Sequence, residues 1–475
     1  MPTTDIAIVG SGPAGLSAAV EAAAAGARVV LLDEHLRLGG QFFKQVPSSF
    51  TVEDPTRLGK EYSIGQEFIR MVSLGKVELW LNALVWGTAG DRILAVQREN
   101  DRLLLEAEKI IVAAGGYDRP VPFPGWTLPG VMTAGAAQTL VKSQWLVPRG
   151  RVLLVGSGPF QLPVAHQLLR GGASIAAVVE SISLPRLIRT SPGAIGRPDR
   201  AFEGLGYWLE VRRSGAQFLF GHTILAALGN GRVEAATIAA VDDDGRVTPG
   251  SERTIEADAV CTAFGFLPST QVTCLLGCAD RFDEAAGGFV PIHDDSQETT
   301  IAGVFVAGET SGIGGSDVAL AEGRLAAVAA VRQLGRLAPP DADAKLAAIR
   351  PKLRAARRFA AYIQRTFGPP RAAFERIPDD TVVCRCEEVT AGEVRRAVLD
   401  GAESLKSVKI LTRAGMGPCQ GRICSATVAT LASLVSGRPV ETFGPPSVRP
   451  PVKPVRLGIL AGPPHEDARR GCGGA

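Results

Sequence analysis

Four cysteines in the last quarter of the chain stand at a spacing that suits metal chemistry. Cys384 and Cys386 are separated by one residue, and Cys419 and Cys424 follow after 32 further residues. Four thiolates in two close pairs, each pair ligating one iron, can hold a 2Fe–2S cluster, and the nearby glycines leave backbone N–H groups free to approach its sulfides. Structural zinc and four unconnected cysteines are the alternatives. Because no histidine accompanies the set, we expect iron–sulfur chemistry.

The other cysteines and the histidines show no such pattern. Cys261, Cys274 and Cys278 are expected to pack in the interior, and Cys472 lies in the terminal tail. The five histidines are scattered along the chain: His35, His166, His222, His293 and His465. No His-Ser-Asp arrangement follows from them, and we assign no catalytic acid or base.

A glycine-rich turn near the amino end suits a dinucleotide. Gly10, Gly12 and Gly15 form G-x-G-x-x-G after an apolar strand and at the start of an alanine-rich helix. In such a turn the first glycine permits the bend, the second lets the backbone approach a pyrophosphate, and the third lets the helix pack on the strand. The helix N-terminus attracts the phosphates. Asp33 ends the next strand and can accept hydrogen bonds from a ribose, with Glu34 as the nearby substitute.

A second turn of the same kind is incomplete. Gly156 and Gly158 keep the first two glycines, but Gln161 stands where only a small residue fits between helix and strand. Glu180 ends the following strand and could bind a ribose, while Arg186 and Arg189 could meet a 2′-phosphate. We expect a retained domain that does not bind NAD(P), and a working nicotinamide site is the alternative.

The elements that position these residues alternate between strand and helix. We predict strands at 6–9, 28–32, 151–155 and 175–179, and helices at 14–25 and 161–170. Two βαβ units of this kind predict an α/β fold with two doubly wound, Rossmann-like dinucleotide-binding domains. A small C-terminal domain then carries the four cysteines.

Between these parts and at the end of the chain the composition changes. Residues 335–370 carry apolar residues at helical spacing, with Pro351 expected to kink or begin the helix. Seven basic residues lie from Lys345 to Arg365 without an acid among them. We favour a solvated face, or one docked on an acidic partner, over a membrane or polyanion contact. Eight prolines in residues 438–475 predict an extended tail that could lie across a partner surface.

Composition excludes several classes of protein. The chain of 475 residues has 51 basic and 48 acidic side chains, so a net charge of +3 makes no case for nucleic-acid binding. No stretch of ~18 apolar residues predicts a membrane span, and no secretory signal is visible. Eight cysteines are too sparse for a disulfide scaffold. We expect a cytoplasmic protein. Any peripheral contact with a membrane would come through a complex that contains it.

Three short segments resemble the places where flavoproteins with two dinucleotide-binding domains meet FAD. They are Gly39-Gly40-Gln41, Ala114-Gly115 and Gly308-Glu309, and the resemblance covers residues 1–335. In those proteins the acid after the last glycine is usually Asp, so Glu309 places its carboxylate one methylene further out. No C-x-x-C occurs in residues 1–370, which excludes a disulfide reductase of this architecture. The expected FAD-binding residues are Gly10, Gly12, Pro13, Ala14, Gly15, Asp33, Glu34, Gly40, Gln41, Val85, Ala114, Gly115, Gly308 and Glu309.

Longer stretches carry a closer resemblance. Residues 119–139, residues 312–326, the cysteine segment and the PPVKPVRLG sequence at 450–458 are similar to the FAD-binding α subunits of heteromeric amine dehydrogenases. That family includes opine oxidases, proline and hydroxyproline dehydrogenases and a component of hydrogen cyanide synthase. The resemblance implies a 2Fe–2S domain like bacterioferritin-associated ferredoxin. It also implies a partner β subunit, similar to D-amino-acid oxidases, that carries the substrate-oxidising flavin. Whether FMN joins FAD in the complex stays open.

The resemblance therefore implies one component of a dehydrogenase or oxidase that acts on an amino or imino acid and relays electrons to an acceptor such as a quinone. The alternatives are a stand-alone NAD(P)H-dependent FAD oxidoreductase and a noncatalytic electron-transfer subunit. The expected domains are an FAD-binding domain at 1–118 and 255–335, a second NAD(P)-type domain at 119–254, a helical linker at 336–375, the 2Fe–2S domain at 376–437 and the tail at 438–475.

Overall fold

The computed structural model describes residues 1–47, 49–52, 59–194 and 197–461. His465 and Cys472 lie outside these ranges, as does the end of the predicted tail. Within the ranges, no helix combines the length and apolar character needed to cross a bilayer.

The first unit opens the chain with a βαβ arrangement, as predicted. Its elements are β1 (Thr3–Val9), α1 (Pro13–Ala24), β2 (Val29–Leu32), α2 (Lys60–Leu74), β3 (Glu78–Trp80), β4 (Ala83–Thr88), β5 (Ile93–Arg98), β6 (Asp101–Val112) and β7 (Gly116–Asp118).

The second unit follows directly. Its elements are β8 (Val131–Thr133), α3 (Ala134–Gln144), β9 (Arg151–Gly156), α4 (Gln161–Arg170), β10 (Ser174–Glu180), α5 (Leu184–Thr190), α6 (Pro198–Arg213), β11 (Gln217–Phe220), β12 (His222–Leu228), β13 (Ala235–Ala240), β14 (Arg253–Glu256) and β15 (Ala259–Ala263).

The chain then returns to the first unit and continues into the cysteine domain. The returning elements are β16 (Phe266–Pro268), α7 (Gln271–Leu275), β17 (Asp280–Asp283), β18 (Gly288–Pro291), β19 (Val304–Val306) and α8 (Ser316–Gln333). The remaining elements are α9 (Pro339–Phe367), α10 (Ala372–Glu375), β20 (Val382–Cys384), β21 (Val389–Thr390), α11 (Ala391–Leu399), α12 (Leu405–Thr412), α13 (Ser425–Ser436) and α14 (Leu457–Ala461).

The first sheet has seven strands in the order β3-β2-β1-β6-β5-β4, with β19 pairing to the end of β6. Strand β1 pairs in parallel with β2 and β6, and its residues from Thr4 to Val9 are all buried, as expected for a strand covered on both faces. Helices α1 and α8 cover one face at close range. A Cβ on Gly323 of α8 would lie 2.1 Å from the carbonyl oxygen of Ala14, so small residues permit this contact.

The second sheet is parallel, in the order β11-β10-β9-β15-β8, and a three-stranded antiparallel sheet, β12-β13-β14, packs beside it. Strand β15 pairs with β9, so residues 259–263 belong to this unit. The predicted boundary at 254/255 placed them in the first unit, which the strand pairing corrects. An apolar five-residue strand suits either sheet, and only its long-range pairing decides between them.

The predicted helical linker is the single helix α9, and Pro351 lies inside it. Two of its basic residues dock on acids of this same chain. Lys345 is ion-paired with Glu21 of α1, and Arg357 reaches Glu322 of α8 at 2.7 Å. The linker therefore packs along the outside of the first unit.

The cysteine domain shares an apolar core with the second unit. Trp126, in the segment that joins the two units, donates its indole N–H to the Val382 carbonyl at 2.6 Å. Cys384 and Cys424 lie in the same buried cluster as Trp126 and Phe123. A capping box between Thr390 and Glu393 begins α11. These contacts fix the cysteine domain relative to the second unit and the joining segment.

Candidate functional site

The first glycine loop divides its three glycines between packing and an open face. A Cβ on Gly10 would lie 2.3 Å from the carbonyl oxygen of Ala113, and a Cβ on Gly15 would lie 1.8 Å from that of Gly10. A Cβ on Gly12 meets no atom within 4 Å. Gly10 and Gly15 thus serve the fold, while Gly12 faces space at the uncapped N-terminus of α1. The residues present fit a pyrophosphate there.

The predicted FAD segments converge on this loop. A Cβ on Gly40 would lie 2.6 Å from the Cα of Gly12, and one on Gly308 would lie 2.9 Å from the Cβ of Ala14. A Cβ on Gly10 would lie 3.4 Å from the Cα of Ala114. The chain therefore brings three separate segments into contact with one turn.

The other predicted residues differ in their surroundings. Gln41 is exposed, and its side-chain oxygen accepts hydrogen bonds from Lys44 at 2.8 Å and Thr139 at 3.1 Å. Val85 is buried in β4 and packs in the apolar cluster of the first sheet. A Cβ on Gly115 would meet no atom within 4 Å, so its face is open like that of Gly12.

Asp33 is already satisfied by its own chain. One carboxylate oxygen accepts the Ser11 N–H at 2.8 Å and the Ser11 hydroxyl at 2.6 Å, and the other accepts the His35 N–H at 2.8 Å. Burial acts to raise the pKa of Asp33, but these hydrogen bonds from His35 and Ser11 outweigh it and lower the pKa. The carboxylate holds the glycine loop to β2 and has little capacity left for a ribose. Glu34 is partly exposed and is ion-paired with Lys453.

Glu309 and Asp118 form an acidic pair at the far side of the loop. Glu309 is partly buried, and its carboxylate lies next to Gly116, whose added Cβ would be 3.3 Å from it. Burial, and then the nearby Asp118, raise the pKa of Glu309 to about 7. Burial also raises the pKa of Asp118, although Thr133 donates to it at 2.7 Å. Burial and the neighbouring carboxyl group thus both favour the protonated form of Glu309.

The second glycine loop is bound to its own chain. The Gly158 N–H donates to Glu180 at 2.9 Å, and the side-chain amide of Gln161 donates to the same oxygen at 3.2 Å. Burial raises the pKa of Glu180 to about 7. A Cβ on Gly158 would lie 3.5 Å from Phe367 at the end of α9. The groups that a pyrophosphate and a ribose would need are therefore engaged, and the linker helix packs over the turn.

The basic residues beside this second loop are also paired. Arg189 contacts the Asp243 carboxylate at 3.0 Å, and Arg186 donates to the Asp243 carbonyl. A cavity of about 400 Å³ lies between them and the start of α10, and charged groups of both signs line it. These contacts leave neither arginine pointing freely at a 2′-phosphate.

The four spaced cysteines meet at one place. The sulfurs of Cys386 and Cys419 are 3.5 Å apart, and Cys424 hydrogen-bonds to the sulfur of Cys384. The Cys424 hydrogen bond, helped by backbone N–H groups at Gly415 and Glu387, lowers the pKa of Cys384 in spite of burial. Two sulfurs on one tetrahedral metal at ~2.3 Å would be ~3.8 Å apart, which is close to the observed pair.

The pairing runs across the two sequence segments, whereas the spacing suggested pairs within each segment. Cys384 ends β20 inside the core, whereas Cys386 lies in an exposed turn, so the two thiols face different partners. Within the described ranges, no group of three or more His, Cys, Asp or Glu side chains has an arrangement that would hold a metal ion. Four cysteines are nevertheless a donor set of the type that binds iron or zinc through thiolates.

Arg422 connects the cysteines to the first unit, and the sequence did not single it out. It donates to the carbonyls of Cys419, at 3.0 Å, and of Val452, and its guanidinium carbon lies 5.8 Å from the ring centre of Tyr117. Tyr117 follows Gly115 and Gly116 in β7. Lys453 and Phe367 were missed as well. Lys453 stands within the PPVKPVRLG sequence, which was the only signal pointing toward it.

Comparison with known proteins places the chain among flavoproteins. The sequence matches the family described as pyridine nucleotide-disulphide oxidoreductase over residues 4–333, and the sarcosine oxidase A3 domain over residues 379–463. An opine oxidase subunit from Agrobacterium tumefaciens (strain Ach5) is 35% identical, over 97% of this chain and 92% of that protein. Hydrogen cyanide synthase subunit HcnB from Pseudomonas aeruginosa is 33% identical, over 91% of this chain and 93% of that protein.

One solved structure extends the likeness to nearly the whole chain. L-proline dehydrogenase from P. horikoshii superposes with a TM-score of 0.71, covering 96% of this chain and 79% of that one at 21% identity. At this identity the likeness concerns the fold alone. It includes both nucleotide-binding units and the cysteine domain in one arrangement.

Proposed function

Because the chain belongs to the pyridine nucleotide-disulphide oxidoreductase family and is a flavin-dependent oxidoreductase, we propose that it is the FAD-binding subunit of a heteromeric dehydrogenase or oxidase of amino or imino acids. The observation that carries the proposal is the engaged second loop. With the Gly158 N–H and the Gln161 side chain bound to Glu180 and Phe367 packed against Gly158, we expect NAD(P)H to be a poor electron donor, so that another substrate supplies the electrons. A C–NH donor fits the relatives, which are named as opine oxidase and hydrogen cyanide synthase subunits.

FAD, when bound, supplies two-electron chemistry that can also be released one electron at a time. The residues of this chain would hold it as follows. Gly12 lets the backbone and the α1 N-terminus meet the pyrophosphate, and Glu34, which is 40% exposed beside its partner Lys453, would accept hydrogen bonds from the ribose. Because burial raises its pKa, the carboxyl group of Glu309 can hold a proton beside the proposed FAD site. We assign no acid–base step to any of these residues.

We propose that Cys384, Cys386, Cys419 and Cys424 ligate a 2Fe–2S cluster, which would accept electrons singly. The 3.5 Å sulfur contact and the shared position of the four thiols support this. Arg422 lies between the cysteine loop and Tyr117, so the two sites are in contact through packed side chains. This arrangement suits a relay from flavin to an external acceptor, for which a quinone is our proposal.

We further propose a partner subunit. The relatives at 35% and 33% identity are each named as one subunit of an enzyme. A flavoprotein similar to D-amino-acid oxidases would oxidise the substrate and pass electrons to this chain. The flavin content of the purified complex would also show whether FMN is present beside FAD. The isolated chain is then expected to oxidise no amino acid at enzymatic rates.

The test is the metal and flavin content of anaerobically purified protein. Wild type should carry about two iron and two sulfide per chain together with FAD. Cys424→Ala should lose both iron and sulfide and keep FAD, because the glycine loop lies in another unit. Cys261→Ala is the matched control, since this buried thiol in β15 lies away from the four cysteines.

Three outcomes would overturn parts of the proposal. Zinc in place of iron would make the cysteine domain structural. Rapid flavin reduction by NADH would favour the stand-alone reductase. Wild type without flavin would refute the cofactor assignment itself.

A further inference from the structure

The C-terminal strap, which we define as residues 450–461, ties the cysteine domain to the first sheet. The Val452 N–H donates to the Trp86 carbonyl of β4 at 2.9 Å, and Arg422 donates to the Val452 carbonyl. Val452 and Ile459 are almost fully buried, at 3% and 4% exposure. A proline-rich segment expected to be extended thus follows the surface of the first unit.

Within the strap, Lys453 reaches Glu34, the predicted substitute for Asp33 at the ribose. Its ammonium nitrogen lies 2.5 Å from Oε1 of Glu34 and also contacts the other carboxylate oxygen. Neither side chain is buried, since Glu34 is 40% exposed and Lys453 30% exposed. Glu34 directly follows Asp33, whose oxygens are already occupied by Ser11 and His35.

We propose that Lys453 is a positioning residue of the FAD site, which makes the strap of the cysteine domain part of that site. The inference rests on the proposed binding of FAD. Lys453 holds the Glu34 carboxylate in place, so that it meets the adenosine ribose without first losing side-chain freedom. The ammonium also offsets the charge that Asp33 and Glu34 place beside an incoming pyrophosphate. FAD and the strap then stabilise each other.

The expected loss of binding in Lys453→Ala is small because the Lys453 and Glu34 side chains are partly exposed. A salt bridge between two partly exposed side chains is worth little, so Lys453→Ala should weaken binding by about three- to fivefold. The adenosine end alone should show this loss, because Glu34 is proposed to meet the ribose and not the flavin ring. ADP is therefore the sharper probe.

The experiment measures the Kd of FAD and of ADP for flavin-free full-length protein. Lys453→Ala should weaken both ligands by the same factor, and Lys453→Arg should restore both. Arg456→Ala is the matched control, because Arg456 lies in the same strap but contacts Asn100. It should bind both ligands as wild type does. In the Glu34→Gln background, Lys453→Ala should have no further effect.

Two results would overturn the inference. Unchanged FAD and ADP binding by Lys453→Ala would remove Lys453 from the site, and an equal loss in Arg456→Ala would show a general effect of the strap instead. Hydrogen exchange gives a second readout, since the amides of residues 452, 453 and 455 should exchange more slowly with FAD in wild type and not in Lys453→Ala. Wild type that binds neither FAD nor ADP would instead refute the proposed function.

Discussion

The substitution Gly12→Ala separates cofactor binding from packing in the first glycine loop. A Cβ at this position meets no atom within 4 Å, and the backbone angles, φ −69° and ψ −172°, suit any residue. A Cβ at Gly15 would instead lie 1.8 Å from the Gly10 carbonyl oxygen. We therefore expect Gly12→Ala protein to fold, with a stability equal to wild type or higher by up to about 1 kcal/mol, because alanine restricts the unfolded chain.

The loss in FAD binding follows from the hydrogen bonds at the start of α1. The new methyl group occupies the open face through which a pyrophosphate would approach the backbone N–H groups. Each hydrogen bond to a charged group is worth about 1.5–3 kcal/mol. Losing two of them removes at least about 3 kcal/mol, which is about a hundredfold in Kd.

The assay is flavin retention after purification, followed by titration of flavin-free protein with FAD. Gly206→Ala on α6 is the matched control, because its Cβ also meets no atom within 4 Å but it lies on an exposed helix face. It should bind FAD as wild type does. If Gly12→Ala protein keeps its flavin with a wild-type Kd, the pyrophosphate does not approach the backbone at Gly12, and our placement of the cofactor is wrong.

Three further predictions concern the second loop, the linker helix and the buried acids. NADH or NADPH should reduce the flavin more slowly than about 1 s⁻¹ in stopped flow, the low end of enzyme turnover, because the Gly158 N–H is engaged. Arg357→Ala should lower the free energy of unfolding in urea by about 2 kcal/mol, since it leaves the buried Glu322 carboxylate without its cation. The raised pKa of Glu309 means that the folded state binds its proton more tightly, so the stability of flavin-free protein should fall as pH rises from about 5 to about 7, by up to about 3 kcal/mol.

Each of these predictions has its own control. Saturable reduction by micromolar NADH at higher rates would show that the second loop opens. Arg358→Ala, on the same helix but without a described acidic partner, should change stability by less than about 0.5 kcal/mol, and an equal loss in both variants would discount the Glu322 contact. Glu309→Gln should flatten the pH dependence, and an unchanged slope would assign it to other groups.

Much of the fold can be predicted from the sequence because the patterns that indicate it are short and local. The strand-glycine-helix order around Gly10 and Gly156 predicts two βαβ units, since the turn, the helix start and the apolar strands all lie within about 30 residues. The cysteine spacing predicts a common site for the four thiols, but their pairing across the two segments, Cys386 with Cys419 and Cys384 with Cys424, is set by the fold. Only the glycine turns are fixed by local sequence.

Local sequence does not predict that β15 belongs to the second sheet. An apolar strand such as Ala259–Ala263 carries no mark of the sheet that it joins. The parallel pairing with Val152–Gly156, more than a hundred residues earlier, decides it. This pairing places residues 259–263 in the second unit and not in the first.

The sequence alone determined which residue types surround the first loop, but the tertiary structure decided which of them remain available. Asp33 and Glu34 are both acidic, so the sequence alone does not tell which of them is free for a ligand. Ser11 and His35 donate hydrogen bonds to Asp33, whereas Lys453, 419 positions away in the chain, contacts Glu34. Phe367 comes to cover Gly158 in the same manner. A carboxylate or an N–H binds a ligand only where contacts within its own chain leave it hydrogen-bonding capacity, and distant segments that meet on folding determine that.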